Sequence, residues 1–400
     1  MFIGENLTNL RIMHGYSRKQ LSEILGITEQ AVWQYENQYT SPKMKIVNDL
    51  KSIFNVKSRY FYKKDVLSRY VKAENIPLMN IAYRSKVINV ISKTQSEAKH
   101  VQFLDSFVNY FAAKINFPTQ KIIQLRNNVI EFLNTADQDR QTQITHVAKM
   151  ARHALDLDEN TNDELMFAME KSGIFIFEKA IGEEIDAYSL WTKQERPFII
   201  LGNLKRSAVR RNFDLAHELG HLLLHYRVEF TNLDRNEHKA FEKEANQFAG
   251  AFLLPEKAFL TDLQTVERIT NPDAYIDLKK KWKTSLQVLG YRAANLGILD
   301  EKNHRNFYAA LHRKGYLKRE PMDETISIQR PQKMKSIMDL GFKKRIFNLQ
   351  QMLNNDWMAD VQFLHQITGI DANFFDRYMM KKKDFELTHV SESHTSYSTK

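Results

Sequence analysis

Two histidines four residues apart, His217 and His221, flank Glu218-Leu219-Gly220 inside a run from Phe213 to His225 whose apolar residues recur at helical spacing. Residues four apart on a helix lie one above the other, so both imidazoles can reach one metal ion at about 2 Å from each nitrogen. Glu218 sits beside that face, where a carboxylate can take a proton from metal-bound water. Leu215, Ala216, Leu219, Leu222 and Leu223 predict a flank that buries the helix and excludes bulk water, while Gly220 leaves room for a substrate or a neighbouring strand. No other stretch of the chain dictates its chemistry so directly.

A zinc site needs a third protein ligand, and a catalytic one keeps a further position for water. The chain has no cysteine, so a carboxylate or a histidine must serve. A second helix is predicted to open at Glu242-Lys243-Glu244, with Ala245, Phe248, Ala249 and Phe252 on one apolar stripe and Pro255 as its stop. Glu244 is the expected third ligand, because it directly precedes the small Ala245 that lets this helix pack on the first. Glu242 is the alternative, and either carboxylate can instead be an exposed charge favoured by the helix dipole.

Upstream, Gly173–Phe177 and Pro197–Leu201 are short β-branched and aromatic runs bounded by turn or charge signals, with Ile185–Leu190 between them as a third strand. An edge strand beside a cleft can bind an extended polypeptide through its main chain, although a purely structural role for the Tyr188 strand is the simpler expectation.

Taken together, Phe213–His225, Glu242–Ala249 and Leu253-Leu254-Pro255 resemble the ImmA/IrrE family of metallopeptidases, over roughly residues 150 to 320. The resemblance implies that His217, His221 and Glu244 bind zinc and that Glu218 is the catalytic base. His225 and Tyr226, just past the ligands, are candidates for stabilising an oxyanion, with a supporting or surface role the plainer reading of each.

The N-terminal 56 residues read as a helix-turn-helix: Ser17 caps a helix through Leu25, Gly26-Ile27 turns, and Thr28 caps a second helix through Asn37. Leu21, Ile24 and Val32 are the expected core between the two. Arg18, Gln20, Thr28, Glu29, Gln30, Trp33 and Gln34 are the expected DNA contacts: glutamine can pair with an adenine edge in the major groove, and Thr28 with nearby amides can hold a phosphate. From Leu10-Arg11 through Tyr35-Glu36-Asn37 and Pro42 the segment resembles Xre/Cro-type DNA readers. Gln38 departs from that pattern, which has a glycine there to end the helix left-handed.

The expected fold class is mainly α and multidomain, with an N-terminal helix-turn-helix bundle, a central α+β zincin-like domain holding a small sheet, and a C-terminal helical region. The expected divisions are 1–60 (DNA reader), 61–150 (helical linker), 151–270 (metallopeptidase), 271–325 (small helical domain on the peptidase), 326–390 (C-terminal helices) and 391–400 (loose tail). In the linker, Val101, Leu104, Phe107, Val108 and Phe111 mark one helix and Ile122, Leu125, Val129 and Phe132 another, while Ile81–Ser85 resembles the link that follows the DNA reader in fused members of the family. Near the C terminus Leu340, Ile346, Leu349, Met352 and Leu353 are expected on one side of a helix.

Fifty-eight Lys and Arg against 48 Asp and Glu give a net charge of +10, which favours encounter with phosphate backbones. Lys279–Lys281 and Lys381–Lys383, the densest basic runs, are expected to be solvated faces. Neither a signal peptide nor an apolar stretch of about 20 residues is present, so a cytoplasmic protein with no membrane partner is expected.

These readings converge on a DNA-binding transcriptional regulator carrying a zinc-dependent endopeptidase. The resemblance implies cleavage of a repressor or another regulatory protein, in phages, mobile elements or stress responses. The alternative is a transcription factor whose peptidase-like domain is a non-catalytic ligand or stress sensor. The expected partners are a double-stranded DNA operator and a protein substrate, with a possible homodimer reading two half-sites.

Overall fold

The computed structural model describes residues 1–64, 82–83, 91–117, 120–179, 186–203, 207–226, 228 and 233–379. Helices dominate. Four short ones, α1 (Gly4–Met13), α2 (Arg18–Leu25), α3 (Glu29–Glu36) and α4 (Met44–Phe54), form the N-terminal bundle. Ser17 starts α2 through a capping box with Gln20, and Thr28 starts α3 by accepting from Ala31 N. Gln38 takes the left-handed conformation that glycine was expected to supply, with φ 60°.

Leu21 and Val32 are fully buried as expected, but Ile24 is 52 % exposed and Leu25, one turn on from Leu21, takes the core position. Glu36 is buried and holds the bundle together, accepting from Arg11 Nε and Arg18 Nε at 2.5 Å each.

Two long segments, α5 (Ile91–Ala112) and the antiparallel pair α6 (Lys121–Thr135) and α7 (Arg140–Ala154), precede α8 (Leu165–Ser172) and the sheet. The sheet has strands β1 (Ala82–Tyr83), β2 (Phe175–Lys179), β3 (Ala187–Trp191) and β4 (Pro197–Gly202) in the order β1-β3-β4-β2, antiparallel except for the β4–β2 pair. Three of these are the expected strands; β1 is an addition that its two-residue length hid. Ile185 lies outside the described residues, as do Ile81, Arg84 and Ser85 of the link, Lys381–Lys383 and the 391–400 tail.

Alternation along the strands sorts their side chains to two different cores. Ile174, Ile176, Ala187, Trp191, Ile199 and Leu201 join a cluster built from α6–α8 and the helices that follow the sheet. Phe175, Phe177, Tyr188, Leu190, Phe198 and Ile200 face the opposite way, into a cluster containing Leu7, Leu21, Val32 and Leu50 of the N-terminal bundle, Val101, Leu104, Phe107 and Phe111 of α5, and Met338, Trp357 and Phe363 near the C terminus. The sheet therefore lies between two cores, one that reaches through α5 to the N-terminal bundle and one that contains α9.

Beyond the sheet lie α9 (Ala208–Leu224), α10 (Arg235–Leu253), α11 (Glu256–Leu263), α12 (Ile276–Trp282), α13 (Leu286–Asn295) and α14 (Glu301–Arg313), then the short helices α15 (Lys333–Lys343), α16 (Leu349–Gln351), α17 (Val361–Thr368) and α18 (Ala372–Asp376). In α15 the buried face is Met334, Met338 and Phe342, so Leu340 is exposed, and Ile346 beyond the helix end is exposed too, contrary to expectation; Leu349, Met352 and Leu353 are buried.

The Lys279–Lys281 run also differs from the expected solvated face. Lys280 and Lys281 are exposed, but Lys279 is fully buried and donates to Glu320 Oε2 and Asp323 Oδ1, each at 2.7 Å. Glu320 in turn accepts from Leu286 N at 2.9 Å, tying the start of α13 to the ion cluster. Removing the ammonium strands two buried carboxylates, a change that costs about 3–5 kcal/mol. Lys279→Met is predicted to lower the urea-unfolding free energy by that amount, and an unchanged midpoint would contradict the assignment.

Candidate metal centre

Helix α9 carries His217, Glu218 and His221 and is fixed along its length by the sheet. Trp191 Nε1 donates to Leu222 O at 2.9 Å, and Arg211 pairs with Glu178 on β2. Helix α10 packs along α9 with Ala245, Phe248, Ala249 and Phe252 buried, the stripe expected from the sequence. Gly220 serves this contact and not a substrate or a strand: a Cβ there would lie 3.0 Å from Phe248 Cδ1.

Three buried side chains cap the end of α10. Arg152 Nη1 donates to Phe252 O at 2.8 Å, Asn162 Nδ2 to Leu253 O at 2.9 Å and Arg292 Nε to Leu254 O at 3.2 Å. Terminal carbonyls with no partner inside the helix are thereby satisfied, two of them by cations suited to the negative end of the dipole. Pro255 ends the helix as predicted.

With both helices held, His217, His221 and Glu242 bring their ligand atoms together, all within 4.8 Å of one another. His217 Nε2 and His221 Nε2 are 3.0 Å apart; Glu242 Oε2 is 3.5 Å from the first and Oε1 3.2 Å from the second. Bonds of about 2.0–2.1 Å in a tetrahedral site put neighbouring ligand atoms about 3.3 Å apart, a value these separations bracket. Glu242 Oε1 is buried without an aligned hydrogen-bond donor. Burial by itself would raise the Glu242 carboxyl, but hydrogen bonding and charge interaction with His217 and His221 outweigh it and hold the group well below the usual carboxylate range. A carboxylate facing two imidazole nitrogens is a donor set that zinc fits.

Glu244, the expected third ligand, is replaced in this constellation by Glu242. Two residues along a helix is a turn of about 200°, so the two carboxylates leave α10 on different flanks. Glu244 Oε2 lies 3.0 Å from His225 Nε2, and its two oxygens accept from Arg140 Nε and Nη2 at 3.0 and 2.6 Å. Despite partial burial, those partners hold the Glu244 carboxyl down at about 2, while burial first of all lowers His225 to about 4. His225 Nδ1 is 2.9 Å from His221 Nδ1, so Glu244 and Arg140 act on His221 through His225. Tyr226, the other oxyanion candidate, turns away to donate to Glu195 Oε1 at 3.0 Å.

The sequence reading missed three supporting residues. Asn246 Oδ1 lies 3.0 Å from His217 Nδ1, which leaves Nε2 as the face turned to Glu242. Its signal was available, since Asn246 stands four residues after Glu242 on one helical flank. Ser189 Oγ donates to Glu218 Oε2 at 2.7 Å, and Arg140 reaches in from α7; nothing local in the sequence places either beside the motif.

A cleft of about 670 Å³ opens against Glu242 and Asn246. Phe213 and Arg210 line one side, and Tyr291 of α13 and Tyr308 of α14 line another, so the α13–α14 pair walls the cleft while α13 also packs on α10.

At the other end of the molecule the expected DNA contacts divide. Glu29, Gln30 and Trp33 are exposed and Gln34 is half-buried, with Trp33 stacked on Tyr39 at 5.1 Å. Arg18 is tied to Glu36, Gln20 closes the α2 capping box, and Thr28 caps α3, so these three also serve the fold.

Glu242 faces the two imidazoles, whereas Glu244 pairs with His225 and Arg140 on another flank. Glu242→Ala is predicted to abolish stoichiometric zinc binding, and Glu244→Ala to keep one zinc with affinity weaker by about 10–100-fold in a chelator competition. The opposite order of effects would restore Glu244 as the ligand.

Comparison with known proteins bears on both ends of the chain. Residues 7–61 match the family model described as helix-turn-helix, and residues 169–294 match the M78 peptidase model described as IrrE N-terminal-like domain. No curated protein matches the chain. The chain thus carries a helix-turn-helix domain at its N terminus and, around His217, His221 and Glu242, an IrrE-like domain of the M78 peptidase type.

Proposed function

We propose that this protein is a DNA-binding transcriptional regulator whose second domain is an active zinc endopeptidase, of the ImmA/IrrE type, joined to an Xre/Cro-type DNA reader. The observation that carries the reading is the convergence of His217, His221 and Glu242 at zinc-ligand separations, with Glu218 adjacent and separately held.

In this reading His217, His221 and Glu242 hold the metal, and Glu218 is the general base. Bound zinc supplies Lewis acidity that makes water a nucleophile near neutral pH and polarises a peptide carbonyl. Glu218 would accept a proton from the attacking water and return it to the departing amine. Ser189 donates to Glu218 Oε2 and fixes the carboxylate against α9, where it sits fully buried. A carboxylate anchored in this way beside a complete ligand set is a catalytic arrangement, and it is why we take the enzyme reading over that of a ligand or stress sensor.

The substrate in this proposal is a repressor or another regulatory protein, approached from the cleft between Phe213 and Tyr291. Glu29, Gln30, Trp33 and Gln34 read the operator, with Thr28 at the phosphate backbone, and Arg18 and Gln20 supporting them. Homodimerisation would let two copies of α3 read two half-sites, and a DNA reader of this kind works in the cytoplasm. The setting inferred is a phage, a mobile element or a stress response.

Four variants separate these roles. Glu218→Gln is predicted to retain zinc and lose cleavage of its regulatory target, while retained processing would contradict the assignment of the base. Ser189→Ala is predicted to lower kcat about tenfold with zinc content and KM unchanged, and Ser189→Thr to restore it; a loss confined to stability would make Ser189 merely structural. Gln30→Ala combined with Gln34→Ala is predicted to weaken operator binding by roughly a few kcal/mol, with metal content unaffected. Unaltered binding in a gel-shift titration would remove α3 as the reading helix.

A further inference from the structure

Helix α10 turns Lys239, Glu242, Lys243 and Asn246 toward the cleft. Their spacing of three, four and seven residues is one helical stripe, so two ammonium groups share a face with Glu242 and stand within one turn of it. Helix α9 supplies Arg210, about two turns before His217, on the stripe that continues through Phe213 and Asp214. Lys239 and Lys243 are exposed, and Arg210 is half-buried with its Nη2 donating to Leu317 O and Lys318 O at 2.9 and 2.8 Å. Among the described residues none of these three cations has a carboxylate within ion-pair distance. The acidic groups of the cleft are engaged: Glu242 faces the two imidazoles, Asp214 is buried and interacts with the charge of Arg211, and Asp186 has a partner of its own. An incoming molecule therefore meets uncompensated positive charge beside the apolar and aromatic surface of Phe213, Val288, Tyr291 and Leu317.

We propose that Arg210, Lys239 and Lys243 determine which polypeptide this cleft takes, and that the target carries Asp or Glu within about three residues of the bond to be broken. The inference rests on the peptidase reading and names its substrate class. Seven helical residues span about 10 Å and an extended chain advances about 3.3 Å per residue, so Arg210 meets a side chain about three positions from the centre. The lysines, a turn or less from Glu242, meet nearer ones. A concave site with one sign of charge concentrates ligands of the other sign and rejects like-charged ones, so a basic segment is excluded by the same three side chains. The apolar surface between the cations favours a polypeptide, whose hydrophobic side chains it can bury, over a nucleic-acid backbone, which presents phosphate and sugar.

The test reads binding apart from turnover. Full-length Glu218→Gln protein loaded with zinc would be titrated with two short fluorescent peptides, identical around a central Phe-Leu pair except that one carries Glu and the other Gln at the flanking positions. The Glu peptide is expected to bind about tenfold tighter at low ionic strength, since each partly exposed ion pair contributes a few-fold, and the margin should shrink in high salt. Lys239→Gln with Lys243→Gln should cut the margin to about twofold, with zinc content and affinity for the Gln peptide unchanged. Lys239→Glu with Lys243→Glu should turn the preference toward a Lys-bearing peptide, a reversal that misfolding cannot produce. Equal affinity of the parent for the Glu and Gln peptides would overturn the proposal. So would a loss of affinity for short duplex DNA in the Lys239→Gln, Lys243→Gln protein, since the basic rim would then be a nucleic-acid surface. Cleavage of the two peptides by the wild-type chain distinguishes the two readings: acidic preference without turnover upholds the rim and removes the active peptidase, and turnover without the preference does the reverse.

Discussion

The closeness of α9 to α10 is the constraint on which the site depends. His217 and His221 come from one helix and Glu242 from the other, and the 3.2–3.5 Å separations across the two go with a close contact in which Gly220 lets the Phe248 ring lie against the α9 backbone. A side chain at position 220 would press on Phe248 Cδ1 at 3.0 Å and push the carboxylate away from the imidazoles. The caps from Arg152, Asn162 and Arg292 then stop α10 from sliding along its partner. Buried cations here hold a helix in register, which a metal site needs more than added stability.

What could be read from the sequence follows from how local each signal is. The histidine pair, its apolar flank, the α10 stripe, the Pro255 stop and the caps at Ser17 and Thr28 are all set within a few residues, and each stands where periodicity and capping chemistry put it. The choice between Glu242 and Glu244 depended on which flank of α10 faces α9, and the position of Ala245 says only that the helices are close. In the structure Arg140 holds Glu244 on the other flank, and α7 lies a hundred residues earlier in the chain. Lys279 was misplaced for the same reason, since its two carboxylates arrive from a turn some forty residues downstream.

The sheet gives the molecule its logic as a regulator. One of its faces belongs to the core that reaches α1–α4 through α5 and the other to the core that contains α9, so the two matched domains are joined by packed layers. Tyr188 donates from the sheet to Glu97 on α5 at 2.7 Å, and its neighbour Ser189 points the other way to Glu218. Adjacent residues of a single strand thus contact the layer beneath the DNA reader and the proposed catalytic base. Period-two alternation is enough to create that juxtaposition.

The most direct measurement of the central claim is X-ray absorption at the zinc edge of the full-length protein loaded with one equivalent of metal. The account predicts a nitrogen and oxygen shell at about 2.0–2.1 Å containing two imidazoles, unchanged in Glu244→Ala. Three imidazoles in that shell would mean that His225 is a ligand and not a support for His221. Failure to retain zinc at all would contradict the metal centre itself.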